Sequence, residues 1–288
     1  MRTNTKIVSL VALVSFAMAV LRTVIIQYDM EKNGIQNETY YLPDNLEVTV
    51  FTIASILFVL IFAFCAFYFG RGCNVTLHRS FGASPAGSLT LAFSLIGAAV
   101  IYIAALVEKG KSTVTVIGVA ILVTTILSAI KFIISGIRYD KTLKGNYHAL
   151  AAIAPIALCM LRLLGDFIRT SAAPLASSGA YHIVGLCATL LYFLTEGKSY
   201  VIKTSGTAFY AFGYISVFFL LVYSIPNLFM HCFGFFEFDY YTAFSIVDIG
   251  IAVYIITRLS SARLEEANLT VCKIEGEANI EENEITVA

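Results

Sequence analysis

The chain has 288 residues, of which 58% are apolar and 13% charged, and its formal net charge is zero. Average soluble domains are about 45–50% apolar and about 25% charged, so this composition excludes intrinsic disorder over most of the chain. It also excludes a basic nucleic-acid-binding protein, which would need clustered lysine and arginine. Because the apolar residues fall in long blocks, the sequence predicts an all-α protein embedded in a lipid bilayer.

Eight blocks of apolar residues meet or approach the length needed to cross a membrane. A helix needs about 20 apolar residues to span the hydrocarbon core, and the sixth block is the shortest. We therefore predict that residues 1–264 form a bundle of eight transmembrane helices. The predicted spans are residues 7–27, 48–70, 88–107, 113–137, 149–168, 180–195, 205–225 and 242–257.

The lysines and arginines outside these blocks are divided unevenly between the two sides of the membrane. With the N-terminus inside, the inner segments hold twelve of them and the outer segments hold four. Cytoplasmic loops are enriched in these residues, so the count predicts that both termini are cytoplasmic. Lys109 and Lys111 oppose the rule, which makes the third and fourth blocks the place where a miscounted span would fall.

The first block has two interpretations. Arg2 and Lys6 precede an apolar run that ends in Ala17-Met18-Ala19, a pattern typical of a cleaved signal peptide. Cleavage would leave seven of the spans and an outer N-terminus. The apolar pattern resumes after Arg22, which favours a retained first span.

The end of the sequence turns acidic. Residues 265–288 hold seven glutamates and one lysine. Such a short and highly charged segment cannot bury a core, so we predict a disordered cytoplasmic tail. A signalling or enzymatic domain would then have to belong to a separate soluble or membrane partner protein.

Ionisable residues well inside the apolar blocks are the candidate functional residues. Such residues are costly at membrane depth, and they usually face the bundle interior or water. There are four of them, Arg22, Arg162, Asp166 and Asp248. Counted at 1.5 Å per residue, all lie within about 10 Å of the outer boundary, so we expect them to share the outer half of the bundle.

Arg162 and Asp166 are four residues apart, so they share one face of the fifth predicted helix and can pair. In one interpretation the pair is structural and is joined by Arg22 or Asp248 from neighbouring helices. In the other, the four residues form an outward-facing pocket for a small anionic or zwitterionic solute, with Arg162 as the anion contact. In a third, the charged side chains reach the outer headgroups without interhelical contact. The sequence leaves all three interpretations open.

Two further residues inside the blocks carry expectations about local structure. Pro155 removes a backbone hydrogen bond and predicts a kink in the fifth helix below Arg162. Lys131 lies near the inner end of the fourth block. Its long stem predicts that the ammonium reaches the cytoplasmic headgroups.

No motif in the sequence predicts an enzyme, a metal site or a cofactor. The four histidines lack metal-ligand spacing, and the six cysteines include no CxxC pair. Glycine-rich phosphate loops and nucleophile motifs are absent from the sequence. No closely spaced pair of carboxylates lies within a span to do acid–base chemistry. We therefore expect no catalytic activity and no cofactor.

Several short motifs lie between residues 155 and 229. They are Arg162-Leu163, Phe167-Ile168-Arg169-Thr170, a leucine-rich span that ends near Lys198, and Ala211-Phe212-Gly213 before Pro226. In these motifs the chain resembles a group of uncharacterised polytopic membrane proteins of anaerobic Gram-positive bacteria. The resemblance covers about a quarter of the chain and implies a bacterial plasma membrane and no mechanism.

Two function hypotheses follow from the sequence. The first is a solute transporter or its membrane subunit, with its site at the four intramembrane charges. The second is a non-catalytic sensor, assembly or anchoring protein that acts through a separate partner chain. They differ in whether the intramembrane charges or the acidic tail carry the function.

Overall fold

The computed structural model describes residues 4–33, 46–71, 73–75, 85–109, 115–137, 149–170, 177–201, 204–234, 240–262 and 264–266. Within these ranges, eight helices of 18 or more residues form the molecule. They are α1 Asn4–Asn33, α2 Leu46–Gly70, α3 Pro85–Lys109, α4 Val116–Ile137, α5 Ile153–Thr170, α6 Ser177–Ser199, α7 Gly206–Cys232 and α8 Tyr240–Ser261. Three short strands accompany them, β1 Cys73–Val75, β2 Thr204–Ser205 and β3 Leu264–Glu266.

The helical fold is confirmed, and seven of the described helices are long and apolar enough to cross a membrane, which is compatible with a polytopic membrane protein. The exception is α6, which has 23 residues but carries Glu196 and Lys198 near its end. At 1.5 Å per residue it is about 34 Å long, so its length alone would span the hydrocarbon core. The eight-span count and the cytoplasmic termini therefore stay predictions.

The centre of the bundle is formed by α7 and α8. Helix α7 packs against α1, α2, α6 and α8, and α8 also packs against α1 and α3. These two helices are the most buried of the candidate spans, whereas α2 is the least buried and directs large apolar side chains outward. Aromatic rings fill the α2–α7 interface, where Phe62 packs edge-on against Tyr214 and Phe218.

Hydroxyl side chains inside the helices are mostly bonded to their own backbone. Ser15, Thr23, Ser55, Thr125 and Thr189 each donate to the carbonyl four residues earlier. A hydroxyl that is satisfied locally can face an apolar neighbour without the cost of a bare polar group. These residues therefore do not point to a polar pathway.

The three strands form a small antiparallel sheet at one end of the bundle, which the sequence analysis did not predict. The central strand is β1, where Asn74 pairs with Ser205 of β2 and with Glu265 of β3. Because β1 follows α2, β2 precedes α7 and β3 follows α8, the sheet ties these three helix ends together. Gly70 is required there, since a Cβ at that position would collide with the backbone of Thr207.

Three sequence expectations concern the chain ends and α5. Helix α1 is continuous through Met18 and Ala19, which are buried, and signal-peptide cleavage stays an untested alternative. Glu265 and Glu266 of the acidic tail belong to β3, and residues 267–288 lie outside the described residues.

Pro155 lies in the first turn of α5, after a break at Ala152. Its missing N–H accounts for a break at that point, so the interruption precedes α5 instead of dividing it.

Candidate functional site

Five polar residues from four helices meet near one end of the bundle. We call them the Arg162 cluster, namely Arg162, Asp166, His182, Ser224 and Asp248. Residues 162 and 166 come from the last turns of α5, 182 from the start of α6, 224 from the second half of α7 and 248 from the first half of α8. Helices that alternate in direction bring such positions to the same depth.

The most buried part of the cluster is a two-bonded ion pair between α5 and α8. Arg162 Nη1 lies 2.6 Å from Asp248 Oδ1, and Arg162 Nη2 lies 3.0 Å from Asp248 Oδ2. The guanidinium also lies 4.9 Å from the ring of Phe244. The matched planes of guanidinium and carboxylate make this the strongest type of side-chain hydrogen bonding. The pair therefore fixes α5 against α8.

His182 lies between the two carboxylates of the cluster. Its Nε2 is 3.1 Å from Asp248 Oδ2, and its Nδ1 is 2.9 Å from Asp166 Oδ2. A neutral imidazole donates through one nitrogen only, whereas an imidazolium donates through both. Arg162 Nη2 also lies 3.1 Å from the same Nε2. A neutral ring accepts there from the guanidinium and donates through Nδ1 to Asp166, whereas an imidazolium donates to both carboxylates and gives the cluster two cations and two anions. The ring of Tyr223 stacks on His182 at 4.2 Å.

A small cleft opens beside the cluster. Its volume is about 30 Å³, and it is partly open to the surroundings. The polar lining consists of Arg162, Asp166, His182, Ser245 and Asp248, and the remaining lining of Ile121, Gly165, Tyr223 and Phe244. Among the described residues, no group of three or more metal-ligating side chains is arranged to hold a metal ion. The lining therefore combines charged groups with an apolar wall.

Arg22 lies beside the Arg162 cluster and makes different contacts. Its Nη1 donates to the backbone carbonyl of Val222 at 2.8 Å, and its guanidinium lies 4.4 Å from the ring of Tyr181. In a regular helix that carbonyl would accept from the N–H of residue 226, which is proline and has none. Arg22 therefore supplies the donor that Pro226 removes from α7.

Because Arg22 of α1 replaces a backbone donor of α7, the effects of changes at positions 22 and 226 on the free energy of unfolding should be coupled. Arg22→Met should lower the free energy of unfolding by about 1–3 kcal/mol, because a buried carbonyl loses its donor. Adding Pro226→Ala restores an N–H at the right position, so the double variant should lose less than the two single changes predict. Denaturant unfolding in detergent measures all four proteins. Strictly additive effects would contradict this role of Arg22.

A second group of polar residues lies at the opposite end of α6 and α8. We call it the Glu196 cluster, namely Lys131 of α4, Tyr192 and Glu196 of α6, Tyr200, and Tyr254 and Arg258 of α8, together with Ser128, which lies three residues before Lys131 on α4. Glu196 Oε1 accepts from Tyr254 Oη at 2.5 Å and from Arg258 Nε at 3.0 Å. Arg258 Nη2 also donates to Tyr200 Oη at 2.5 Å. Burial raises the pKa of the Tyr200 phenol, which keeps it protonated.

The expectation that Lys131 reaches the headgroups is wrong. Its side chain is only 7% exposed, and its Nζ lies 4.0 Å from the ring of Phe132. The rings of Phe193 and Tyr254 are 5.7 and 5.8 Å from the same atom. Attraction to these rings and to the charge of Glu196 holds the ammonium inside the bundle.

Sequence reasoning missed several residues of both clusters. His182 was not predicted as a site residue because the histidines lack metal-ligand spacing. Its depth near the start of α6 nevertheless matches that of Asp166 and Asp248. Glu196 fell just beyond the predicted sixth span, and the structure extends that helix to Ser199. The signal that could have found the second cluster is the four-residue spacing of Tyr192 with Glu196 and of Tyr254 with Arg258.

Comparison with known proteins adds no assignment to this geometry. No family model, curated protein or solved structure matches the chain.

Proposed function

We propose that this protein is a solute transporter, or the membrane subunit of one, and that the cleft beside the Arg162 cluster binds a small zwitterionic solute. In this proposal α6 crosses the membrane as the eighth span, both termini are cytoplasmic and the membrane is a bacterial plasma membrane. Ionisable groups at membrane depth favour such a role because they are costly elsewhere. The proposal assigns binding and movement of a solute and no chemical step.

The observation that carries the proposal is the difference in burial across the Arg162 cluster. The side chains of Arg162 and Asp248 are 4% and 0% exposed, whereas those of His182 and Asp166 are 10% and 18% exposed. The Arg162–Asp248 pair is therefore almost fully enclosed by protein. The His182–Asp166 pair is the more accessible of the two from the cleft. A solute entering the cleft meets His182 and Asp166 first.

A zwitterion can replace the His182–Asp166 contact without leaving a charge unpaired. Its carboxylate can accept from His182 Nδ1, and its ammonium can donate to Asp166. With His182 protonated, a solute of one charge would strand one member of the pair, and a stranded buried charge costs several kcal/mol. This charge balance favours a zwitterion over a simple anion, and it assigns the anion contact to His182 ahead of Arg162, which Asp248 occupies.

The remaining cleft walls suit the apolar part of such a solute. Tyr223 covers one face of His182, and Phe244 lies under the guanidinium of Arg162. Ile121 of α4 forms an aliphatic part of the cleft wall, whereas Gly165 of α5 contributes no side chain to it. An apolar wall beside two fixed charges is the usual composition of a small-molecule site.

The test is thermal unfolding of the purified full chain with a panel of amino acids, small monocarboxylates and small amines. At a hundred times its dissociation constant, a bound solute stabilises the folded state by about 2.7 kcal/mol. We expect a zwitterion to raise the midpoint of the wild type, and Asp166→Asn and His182→Gln to abolish the rise. His231→Gln is the matched control, since this histidine of α7 does not line the cleft, and it should keep the response.

Two results would contradict the proposal. One is a midpoint rise that persists unchanged in both Asp166→Asn and His182→Gln. The other is no response to any compound while both variants are simply less stable, which would make the cluster structural and favour a function through partner proteins.

A further inference from the structure

Four polar atoms of the Glu196 cluster have no hydrogen-bond partner within the part of the chain that the structure describes. They are Ser128 Oγ, Lys131 Nζ, Tyr192 Oη and Glu196 Oε2. Lys131 is 7% exposed and Glu196 1%, and the other two residues are fully buried. Buried polar atoms are nearly always satisfied by protein or by internal water, so a group of four bare atoms requires an explanation.

The four atoms belong to two helices, α4 and α6. Ser128 and Lys131 are three residues apart on α4, and Tyr192 and Glu196 are four apart on α6, so each pair shares a helix face. The ammonium of Lys131 lies 5.8 Å from the ring of Tyr254, whose hydroxyl donates to Glu196. Lys131 also interacts electrostatically with Glu196.

Glu196 is held by one oxygen and left free at the other. Its Oε1 accepts from Tyr254, Arg258 and, at 3.5 Å, Tyr200, whereas Oε2 accepts from no described group. The carboxylate is thus fixed in position with one buried oxygen available. Internal water that accepts from Lys131 Nζ and donates to Glu196 Oε2 would satisfy both atoms.

We propose that the Glu196 cluster is a proton-binding site, in which internal water joins Lys131 Nζ to Glu196 Oε2. With Lys131 protonated, the cluster contains two cations, Lys131 and Arg258, and one anion, Glu196. Loss of one proton from Lys131 balances these charges in the low-dielectric interior. The cluster therefore binds and releases a single proton.

The transfer is a proton movement without any redox change. An N–H bond of the Lys131 ammonium breaks, and the proton forms an O–H bond with the internal water. The proton then leaves the cluster for bulk water, Glu196 stays ionised, and Lys131 is left as a neutral amine. Tyr192 and Ser128 supply hydroxyls that hold the water in line.

This proposal goes beyond solute binding and is independent of it. His182 and Glu196 are fourteen residues apart on α6, a separation of about 21 Å along the helix axis. The proton site can therefore be tested without any solute. It also stands if the cleft binds nothing.

The test uses the full chain labelled at lysine Cε and followed by NMR as the pH is changed. The Lys131 signal is assigned by its loss in Lys131→Met, with the exposed Lys198→Met as the matched control. We expect the Lys131 signal to titrate while the protein stays folded. Glu196→Gln should move that titration to an about tenfold higher proton concentration, because a neighbouring negative charge is removed. No titration, or no effect of Glu196→Gln, would overturn the proposal.

A second variant keeps the proposal testable if Glu196→Gln does not fold. Tyr192→Phe removes one water-binding hydroxyl without changing any charge, and it should shift the Lys131 titration in the same experiment. An unchanged titration in Tyr192→Phe would overturn the water link.

Asp166→Asn should leave the Lys131 titration unchanged, and Lys131→Met should keep the thermal response to solutes. A loss of one property alone then separates the failure of one proposal from the failure of the other.

Discussion

Arg162→Met is expected to lower the free energy of unfolding by about 3–5 kcal/mol, the cost of leaving a buried charge without its partner. Asp248 is fully buried, and both of its oxygens bond to the guanidinium. In the variant its negative charge would therefore lose its main cationic partner. When protonated, His182 compensates part of this charge through its Nε2. Denaturant unfolding in detergent measures the loss.

The double variant Arg162→Met/Asp248→Leu is the control for this prediction. It removes both charges and fills the space with apolar groups, so it should be more stable than Arg162→Met alone. Equal instability of the single and double variants would show that the lost packing against Phe244, and not the stranded carboxylate, dominates.

Arg258→Met is expected to have a similar effect at the other end of the bundle, about 3–5 kcal/mol, since it strands the carboxylate of Glu196. Glu196 is 1% exposed, and after the change only the hydroxyls of Tyr254 and Tyr200 would face its Oε1. Lys131 offers partial compensation through its nearby charge. The same unfolding measurement applies.

Two variants check that prediction. Adding Glu196→Gln to Arg258→Met neutralises the stranded charge and should restore part of the stability. Arg71→Met is the matched arginine control, because Arg71 is exposed and stacks on Phe67, and it should change stability by no more than about 0.5 kcal/mol. A loss in Arg71→Met as large as in Arg258→Met would mean that general effects of removing arginine explain both.

The helical membrane fold could be predicted because the hydrophobic blocks are long and nearly free of charge. The same counting placed Arg162, Asp166 and Asp248 at one depth, and the structure brings them into one cluster with His182. The pairing itself could not be predicted. The four-residue rule links Arg162 to Asp166 on one helix, whereas the bond to Asp248 depends on α5 and α8 presenting those faces to each other.

Lys131 shows why depth alone is insufficient. Near an inner helix end, a lysine can either extend along the lipid or turn inward, and the sequence does not state which face of α4 meets its neighbours. Here Phe132, Phe193 and Tyr254 surround the ammonium, and two of these rings come from other helices. The small sheet was missed for a similar reason, since two- and three-residue strands leave no periodicity to detect.

Solute counterflow into liposomes containing the purified full chain tests the central claim most directly. The liposomes are preloaded with an unlabelled zwitterion that raises the unfolding midpoint, and uptake of its labelled form is measured. The account predicts accumulation with the wild type and with His231→Gln, and none with Asp166→Asn or with empty liposomes. Absence of accumulation with the wild type, or equal accumulation with Asp166→Asn, would contradict it.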